Sequence, residues 1–175
     1  MHSPLSYHWY AVYTRPRSEK KAHEQIAETG VECYLPLVKT LKQWSDRKKW
    51  MHEPLFRSYL FVYVSEKERY EVLNCTPHAI RYISFEGKAV PIPPQQIEAI
   101  RTFINQGENL DLDMDLSRYE PGQPVEIIEG AMKGLQGNLV RILGKQKVRI
   151  EITGVGKAVY VEIPAAFLRF FLNHE

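Results

Sequence analysis

Only two cysteines, Cys33 and Cys75, occur in 175 residues, and neither belongs to a CxxC pair or a Cys/His cluster. Both read as reduced thiols serving as small core hydrophobes rather than as bridges or metal ligands. The chain also lacks a phosphate loop and the Ser/His/Asp order of a nucleophilic triad. Its six histidines are scattered without metal-ligand spacing, and His8, His23, His52 and His78 read as surface or turn residues. These absences argue against an enzyme, a bound metal or a cofactor. The opening Met1-His-Ser-Pro-Leu-Ser6 has neither the basic nor the long apolar region of a leader, and no later run approaches membrane-spanning length. A cytoplasmic monomer with no membrane partner is expected. Net charge is only +2, too little to mark a nucleic-acid binder, so its distribution matters more. Residues 1–64 carry ten Lys or Arg against six Asp or Glu, whereas residues 111–175 carry eight against nine.

The chain is organised around Glu53-Pro-Leu-Phe-Arg-Ser-Tyr-Leu-Phe-Val-Tyr-Val64. Its second half is rich in aromatic and β-branched residues, which favours a strand within a sheet. On such a strand Tyr59, Phe61 and Tyr63 share one face and Leu60, Val62 and Val64 the other. A strand apolar on both sides needs cover on both, or cover on one and a binding partner on the other.

Upstream, Trp9 to Tyr13 reads as a strand with Trp9, Ala11 and Tyr13 on one face. Ser18 is placed to cap a helix that Gly30 stops. Its apolar side is thin, Ala22 and Ile26, so it covers a sheet on a narrow stripe. Val31 to Val38 reads as a strand interrupted by Pro36, and Thr40 to Met51 as an extended arm turning at Ser45-Asp46-Arg47-Lys48. Between Lys39 and Arg57 six basic residues and two acidic ones interleave with Trp44 and Trp50. This is either a solvated hairpin whose lysines guard an edge or a finger whose charges and indoles meet nucleic acid.

Ser65-Glu-Lys-Glu68 is a capping box, predicting a helix from Glu66 to about Asn74. Ile80 to Phe85 reads as a strand followed by a tight turn at Glu86-Gly87. Pro93-Pro94 opens a helix in which Ile97, Ile100, Phe103 and Ile104 recur at helical spacing, with Gly107 as its stop. Leu110-Asp-Leu-Asp-Met-Asp-Leu116 combines strand-like alternation with the acidity of a linker. Beyond it, Val125–Ile128, Leu139–Leu143, Val148–Ile152, Val159–Ile163 and Leu168–Phe171 are short strands between glycine-bearing turns, the pattern of a small β-barrel. The fold class expected is therefore α+β: an antiparallel sheet flanked by helices, then a barrel, with boundaries 1–107, 108–119 for the linker and 120–175.

Within the barrel, the glycines of Val125-x-Ile127-x-x-Gly130-Ala-Met-Lys-Gly134-Leu-Gln-Gly137 have distinct uses. A strand ends at Gly130, the loop needs permissive backbone at Gly134, and a side chain at Gly137 would obstruct the return of the next strand. This run resembles the KOW motif of the C-terminal barrel of NusG transcription factors. Trp9-Tyr10 opening a strand, the helix after Ser18, Leu35-Pro36 and Pro54-Leu-Phe-x-x-Tyr59-Leu-Phe61-Val stand in that family's order, so the resemblance spans Trp9 to about Phe171. The segment from Glu53 is especially similar to RfaH, a paralogue preventing termination in selected operons, and to antiterminators of capsular polysaccharide loci.

The resemblance implies a non-catalytic elongation and antitermination factor. Its N-terminal domain would grip the clamp helices of the RNA polymerase β′ subunit through an exposed aromatic cavity formed by Tyr13, Tyr59 and Phe61, with Phe56 beside them. The same rings could instead be core beneath a helix. Contact with the non-template DNA strand is implied for Arg15 and Lys21, with Arg17 and Lys20 beside them. Arg47, Lys48 and Lys49 on the arm join the nucleic-acid set. The match has gaps: Pro16 replaces a basic residue, and Pro77 stands where RfaH has an arginine. Arg69-Tyr-Glu-Val72 does not match the segment that touches the polymerase β gate loop, so a contact there would be chemically different. RfaH also refolds its C-terminal domain as a helical hairpin, whereas the glycine-punctuated strands here favour a permanent barrel. The family's barrel meets the Rho termination factor or a small-subunit ribosomal protein. A general NusG role, or a ribosome-associated KOW protein binding structured RNA, are the alternatives.

Overall fold

The structure is a computed structural model describing residues 6–44, 46–106, 122–142, 145–163 and 165–171. It forms two compact units that divide between Ile92 and Pro93.

The first unit is built on one long antiparallel pairing. Strand β1 (Tyr7–Thr14) lies against β5 (Tyr59–Ser65) in unbroken register from Tyr7↔Ser65 to Tyr13↔Tyr59. Between them in the chain come α1 (Glu19–Glu28), β2 (Glu32–Tyr34), β3 (Leu37–Gln43) and β4 (Lys48–Pro54). After β5 follow α2 (Arg69–Cys75), β6 (Ala79–Tyr82), β7 (Ser84–Phe85), β8 (Lys88–Ala89) and β9 (Pro91–Ile92). The main sheet runs β2-β5-β1-β6, and β9 pairs with β1 as well. Strands β3 and β4 form a separate two-stranded ribbon, and β7 and β8 a small hairpin whose turn, Glu86-Gly87, has positive φ at both residues as a tight hairpin turn requires.

One face of the sheet is a closed core. Tyr10 and Val12 of β1 and Leu60, Val62 and Val64 of β5 pack with Ala22 and Ile26 of α1 and Val72 of α2. Leu60, Val62, Val64 and Ile26 are fully buried. Burial of each such side chain contributes about 1.5–3 kcal/mol, which is why a helix with so thin an apolar stripe still docks. Cys33 and Cys75 are free thiols that pack partly buried against this cluster, and burial pushes the Cys33 thiol up to about 11.

Two expected helix starts differ in detail. Ser18 precedes α1 but makes no side-chain capping bond. The Ser65/Glu68 box forms its reciprocal bonds, the Ser65 N–H donating to Glu68 Oε2 at 2.9 Å and the Glu68 N–H to Ser65 Oγ at 3.4 Å. They close a turn, and α2 begins only at Arg69. The Ser65 N–H and the Ser65 hydroxyl, both donating to Glu68 Oε2, hold the Glu68 carboxyl below the usual range.

The second unit starts with α3 (Pro94–Gln106), followed by β10 (Pro124–Ile127), β11 (Gln136–Ile142), β12 (Lys145–Ile152), β13 (Lys157–Val161), a 3-10 turn (Ala165–Phe167) and β14 (Leu168–Phe170). The antiparallel order is β13-β12-β11-β10-β14, the strand-rich barrel expected. Helix α3 was expected in the first domain, yet it packs on β12 and β13. Glutamine amides hold it at both ends. Gln96 Oε1 accepts the Thr153 N–H at 2.7 Å, and Gln106 both donates to the Glu162 carbonyl at 2.7 Å and accepts its N–H at 3.1 Å. Spacing of apolar residues shows that a helix has a buried face, not which sheet covers it. Gly107, the 108–119 linker and Gly144 lie outside the described residues, as does Ser45 of the β3–β4 turn.

The glycine run behaves as its spacing implies. Gly130 and Gly134 have φ of +83° and +87°, and the Gly134 N–H donates to the Ile127 carbonyl at 2.7 Å, turning the loop back on β10. A Cβ on Gly137 would stand 2.6 Å from both the Arg149 carbonyl oxygen and Val148 Cγ1 on the neighbouring strand. Gly137→Ala is expected to destabilise the protein by about 1–3 kcal/mol, and Gly134→Ala, with open space around it, by about 1–2 kcal/mol from its backbone angle alone. Urea unfolding measures both, and an unchanged midpoint for Gly137→Ala would rule out the close approach.

Candidate functional site

The second face of the β1–β5 pair carries rings. Register sets Trp9 opposite Tyr63, Ala11 opposite Phe61 and Tyr13 opposite Tyr59. Tyr13 and Tyr59 meet edge to face at 5.5 Å, and Phe56 meets Phe61 edge to face at 6.1 Å. Tyr34 of β2 lies tilted on Phe61 at 6.4 Å, while Trp9 and Tyr7 lie against Tyr63 at 5.4 and 5.7 Å. Strand β6 brings Arg81 opposite Tyr13, with its guanidinium 5.6 Å from the ring centroid, a cation–π geometry.

The structure thus gathers all four expected aromatic residues, but not as one open hollow. Phe61 is 0% exposed and Phe56 4%, so these two do not line the exposed cavity expected of them. Tyr13 and Tyr59 are half-buried. Ala11 stands opposite Phe61, and Phe56 and Tyr34 flank that ring. At one end of the face the accessible rings are the Tyr13–Tyr59 pair with the exposed Arg81 beside it, and at the other end Tyr7 is exposed and Tyr63 half-buried.

The loop before β5 is held from α1. Glu19 is buried, 6% exposed, and its Oε1 accepts the Ser58 N–H at 2.7 Å. Ser58 has φ +64°, an unusual backbone for serine. The adjoining Thr14 N–H donates to the Ser58 carbonyl at 2.9 Å, so the residue just before Tyr59 is fastened on both sides. Neither Glu19 nor Arg81 stood out in the sequence. A glutamate in a first helical turn is ordinarily a solvated dipole partner, and the Arg81–Tyr13 pairing exists only through non-local register.

Arg15 and Arg17 lie in the turn between β1 and α1, and Lys20 and Lys21 in the first turn of α1, all exposed. The Arg15 N–H donates to the His78 carbonyl at 3.0 Å, placing this basic patch beside the Pro77 turn. Arg47, Lys48 and Lys49 are also exposed but sit on the separate β3–β4 ribbon. On α2, Arg69 turns inward over the rings of Tyr10 and Tyr82 at 5.3 and 5.9 Å, while Tyr70 is 70% exposed. Among the described residues no three His, Cys, Asp or Glu come together as a metal would require, and no helix is long and apolar enough to cross a membrane.

Glu19→Ala would leave the part-buried Ser58 N–H without its acceptor, an expected loss of about 1–2 kcal/mol. Glu19→Gln, which keeps an acceptor oxygen, should lose less. Thermal melts and amide exchange at Ser58 check this, and equal stability of the alanine variant would exclude the tether.

Comparison with known proteins adds a second line. Residues 7–101 match the family model described as "Transcription termination factor nusG". The transcription termination/antitermination proteins NusG of Streptococcus pyogenes serotypes M3 and M1 are each 24% identical over 168 residues, covering 89% of this chain and 91% of theirs. A Thermotoga maritima NusG structure, solved in a study of its domain interaction, is similar in fold with a TM-score of 0.54 and 22% identity, covering 93% of this chain and 96% of that one.

Proposed function

This chain belongs to the NusG family of transcription termination and antitermination factors, and on that premise we propose that it binds RNA polymerase through the ring-bearing face of β1 and β5. The family match over residues 7–101 carries the reading, because it contains that whole face. Tyr13 and Tyr59, with Arg81 beside them, offer the accessible anchor for the β′ clamp helices, since half-exposed aromatics next to an arginine are a common centre of interface energy. Phe56 and Phe61 form the buried floor beneath and contribute only where the face opens. The family match takes in part of α3, and our sequence division into residues 1–107, 108–119 and 120–175 likewise counts that helix with the first domain, although it packs on β12 and β13.

Binding across the polymerase cleft would act as a brace. Tyr70, exposed on α2, lies in the segment corresponding to the gate-loop contact, and Arg15, Arg17, Lys20 and Lys21 face the non-template DNA strand. A factor that binds the closed polymerase more tightly than the open, paused one shifts the equilibrium towards elongation. Similarity of the Glu53–Val64 stretch to RfaH supports action at selected operons. A general role, with the barrel meeting Rho or a small-subunit ribosomal protein, is favoured by the Streptococcus pyogenes relatives, which are matched over 91% of their length and carry the NusG name.

The wild-type protein is expected to co-purify with core polymerase and shorten pauses in an elongation assay, and Tyr13→Ala/Tyr59→Ala to lose both while remaining folded. Phe61→Ala is a poor probe: removing a fully buried ring costs about 3–5 kcal/mol of stability. Unchanged pause lifetimes at saturating protein, or undiminished co-purification of the double tyrosine variant, would refute the assignment.

A further inference from the structure

The β3–β4 ribbon has two unlike faces. Register pairs Lys39 with His52, Leu41 with Trp50 and Gln43 with Lys48 on one face, and Val38 with Glu53, Thr40 with Met51 and Lys42 with Lys49 on the other. On the second face charge is partly satisfied internally. Lys42 forms an ion pair with Glu53, Thr40 Oγ1 donates to Glu53 at 3.1 Å, and Lys42 holds the Glu53 carboxyl below its usual range. The first face carries no carboxylate. It presents Trp50 at 57% exposure and Leu41 at 48%, side by side, with Lys39 Nζ 4.9 Å from the indole centroid. Lys39 and the residue opposite Lys48 are four residues apart on β3, about 13 Å, so the two cations flank the apolar pair along the ribbon.

We propose that this face binds single-stranded DNA, stacking an unpaired base on Trp50 while Lys39 and Lys48 neutralise adjacent phosphates. An exposed indole beside cations, with no acid on its face, complements a polyanion that offers flat rings. A duplex hides those ring faces in its own stack, so only an unpaired strand uses both halves of the platform. The proposal rests on the transcription reading, in which melted DNA is the polyanion at hand. It adds a contact on the ribbon to the basic patch at the start of α1. It also divides the lysines of the ribbon: Lys48 shares the Trp50 face, Lys49 points to the other, and Lys39 joins the site.

The test is anisotropy of a labelled oligodeoxythymidylate of about fifteen nucleotides with the full chain, beside a duplex and an oligouridylate of equal length. Trp50→Ala is expected to weaken single-strand binding about tenfold or more, and Trp50→Phe to restore most of it. Lys48→Ala should reduce the slope of log affinity against log salt by about 0.7, whereas Lys42→Ala changes neither affinity nor slope. Trp50 is exposed, and a thermal melt confirms that its variants fold. Duplex binding as tight as single-strand binding, tighter binding of the RNA, wild-type affinity in Trp50→Ala, or no binding by the wild type would each overturn the proposal. Co-purification of Trp50→Ala with core polymerase separates failure of this site from failure of the polymerase reading: the first leaves it intact, the second is seen in the wild type.

Discussion

The antiparallel pairing of β1 with β5 is the constraint on which the first unit depends. Its seven paired positions join segments separated by α1, β2 and the β3–β4 ribbon. Because side chains alternate along each strand, one register sorts every residue of both strands at once. Leu60, Val62 and Val64 then face α1 and α2, and Phe61, Tyr59 and Tyr63 face away. A slip of one residue would exchange these sets, exposing aliphatic core and burying the tyrosine hydroxyls. The same pairing that closes the core therefore makes the ring-bearing face.

Rigidity around that face comes from groups outside it. Glu19 fastens the loop ahead of Tyr59 from the start of α1, and Thr14 fastens it from the end of β1. Arg81 reaches Tyr13 from β6. Three elements thus orient two tyrosines, and none of the groups doing so is apolar. A half-buried ring loses less freedom on binding when its neighbours already hold it, which suits the anchor role proposed for these tyrosines.

The second unit uses backbone geometry where the first uses side chains. Gly134 turns the loop and Gly137 lets β11 approach β12 more closely than any side chain permits. The glutamines of α3 supply hydrogen bonds to the backbone of the 153 and 162 positions, groups that an aliphatic helix face would leave unmatched. Apolar burial through Ile97 and Ile100 and amide pairing through Gln96 and Gln106 thereby act on the same helix.

What the sequence determined by itself is what depends on neighbours in the chain. Runs of aromatic and β-branched residues marked β1 and β5, and short strand-forming runs between glycine-bearing turns marked the barrel strands. Gly30, Gly87 and Gly130 marked turns that need positive φ, and the spacing of Gly130, Gly134 and Gly137 with the Pro54–Val62 run carried the family. Whether a ring is buried, which sheet α3 covers and which lysines share a face with Trp50 were decided only by tertiary structure. Tyr59 and Phe61 share a face and are both aromatic, yet one is half-exposed and the other sealed: Phe61 lies opposite Ala11 and against Phe56 and Tyr34, whereas Tyr59 lies opposite Tyr13, on a strand about fifty residues away in the chain. Burial, register and cation–π pairing are sums over non-local neighbours, and those neighbours exist only once the chain has folded.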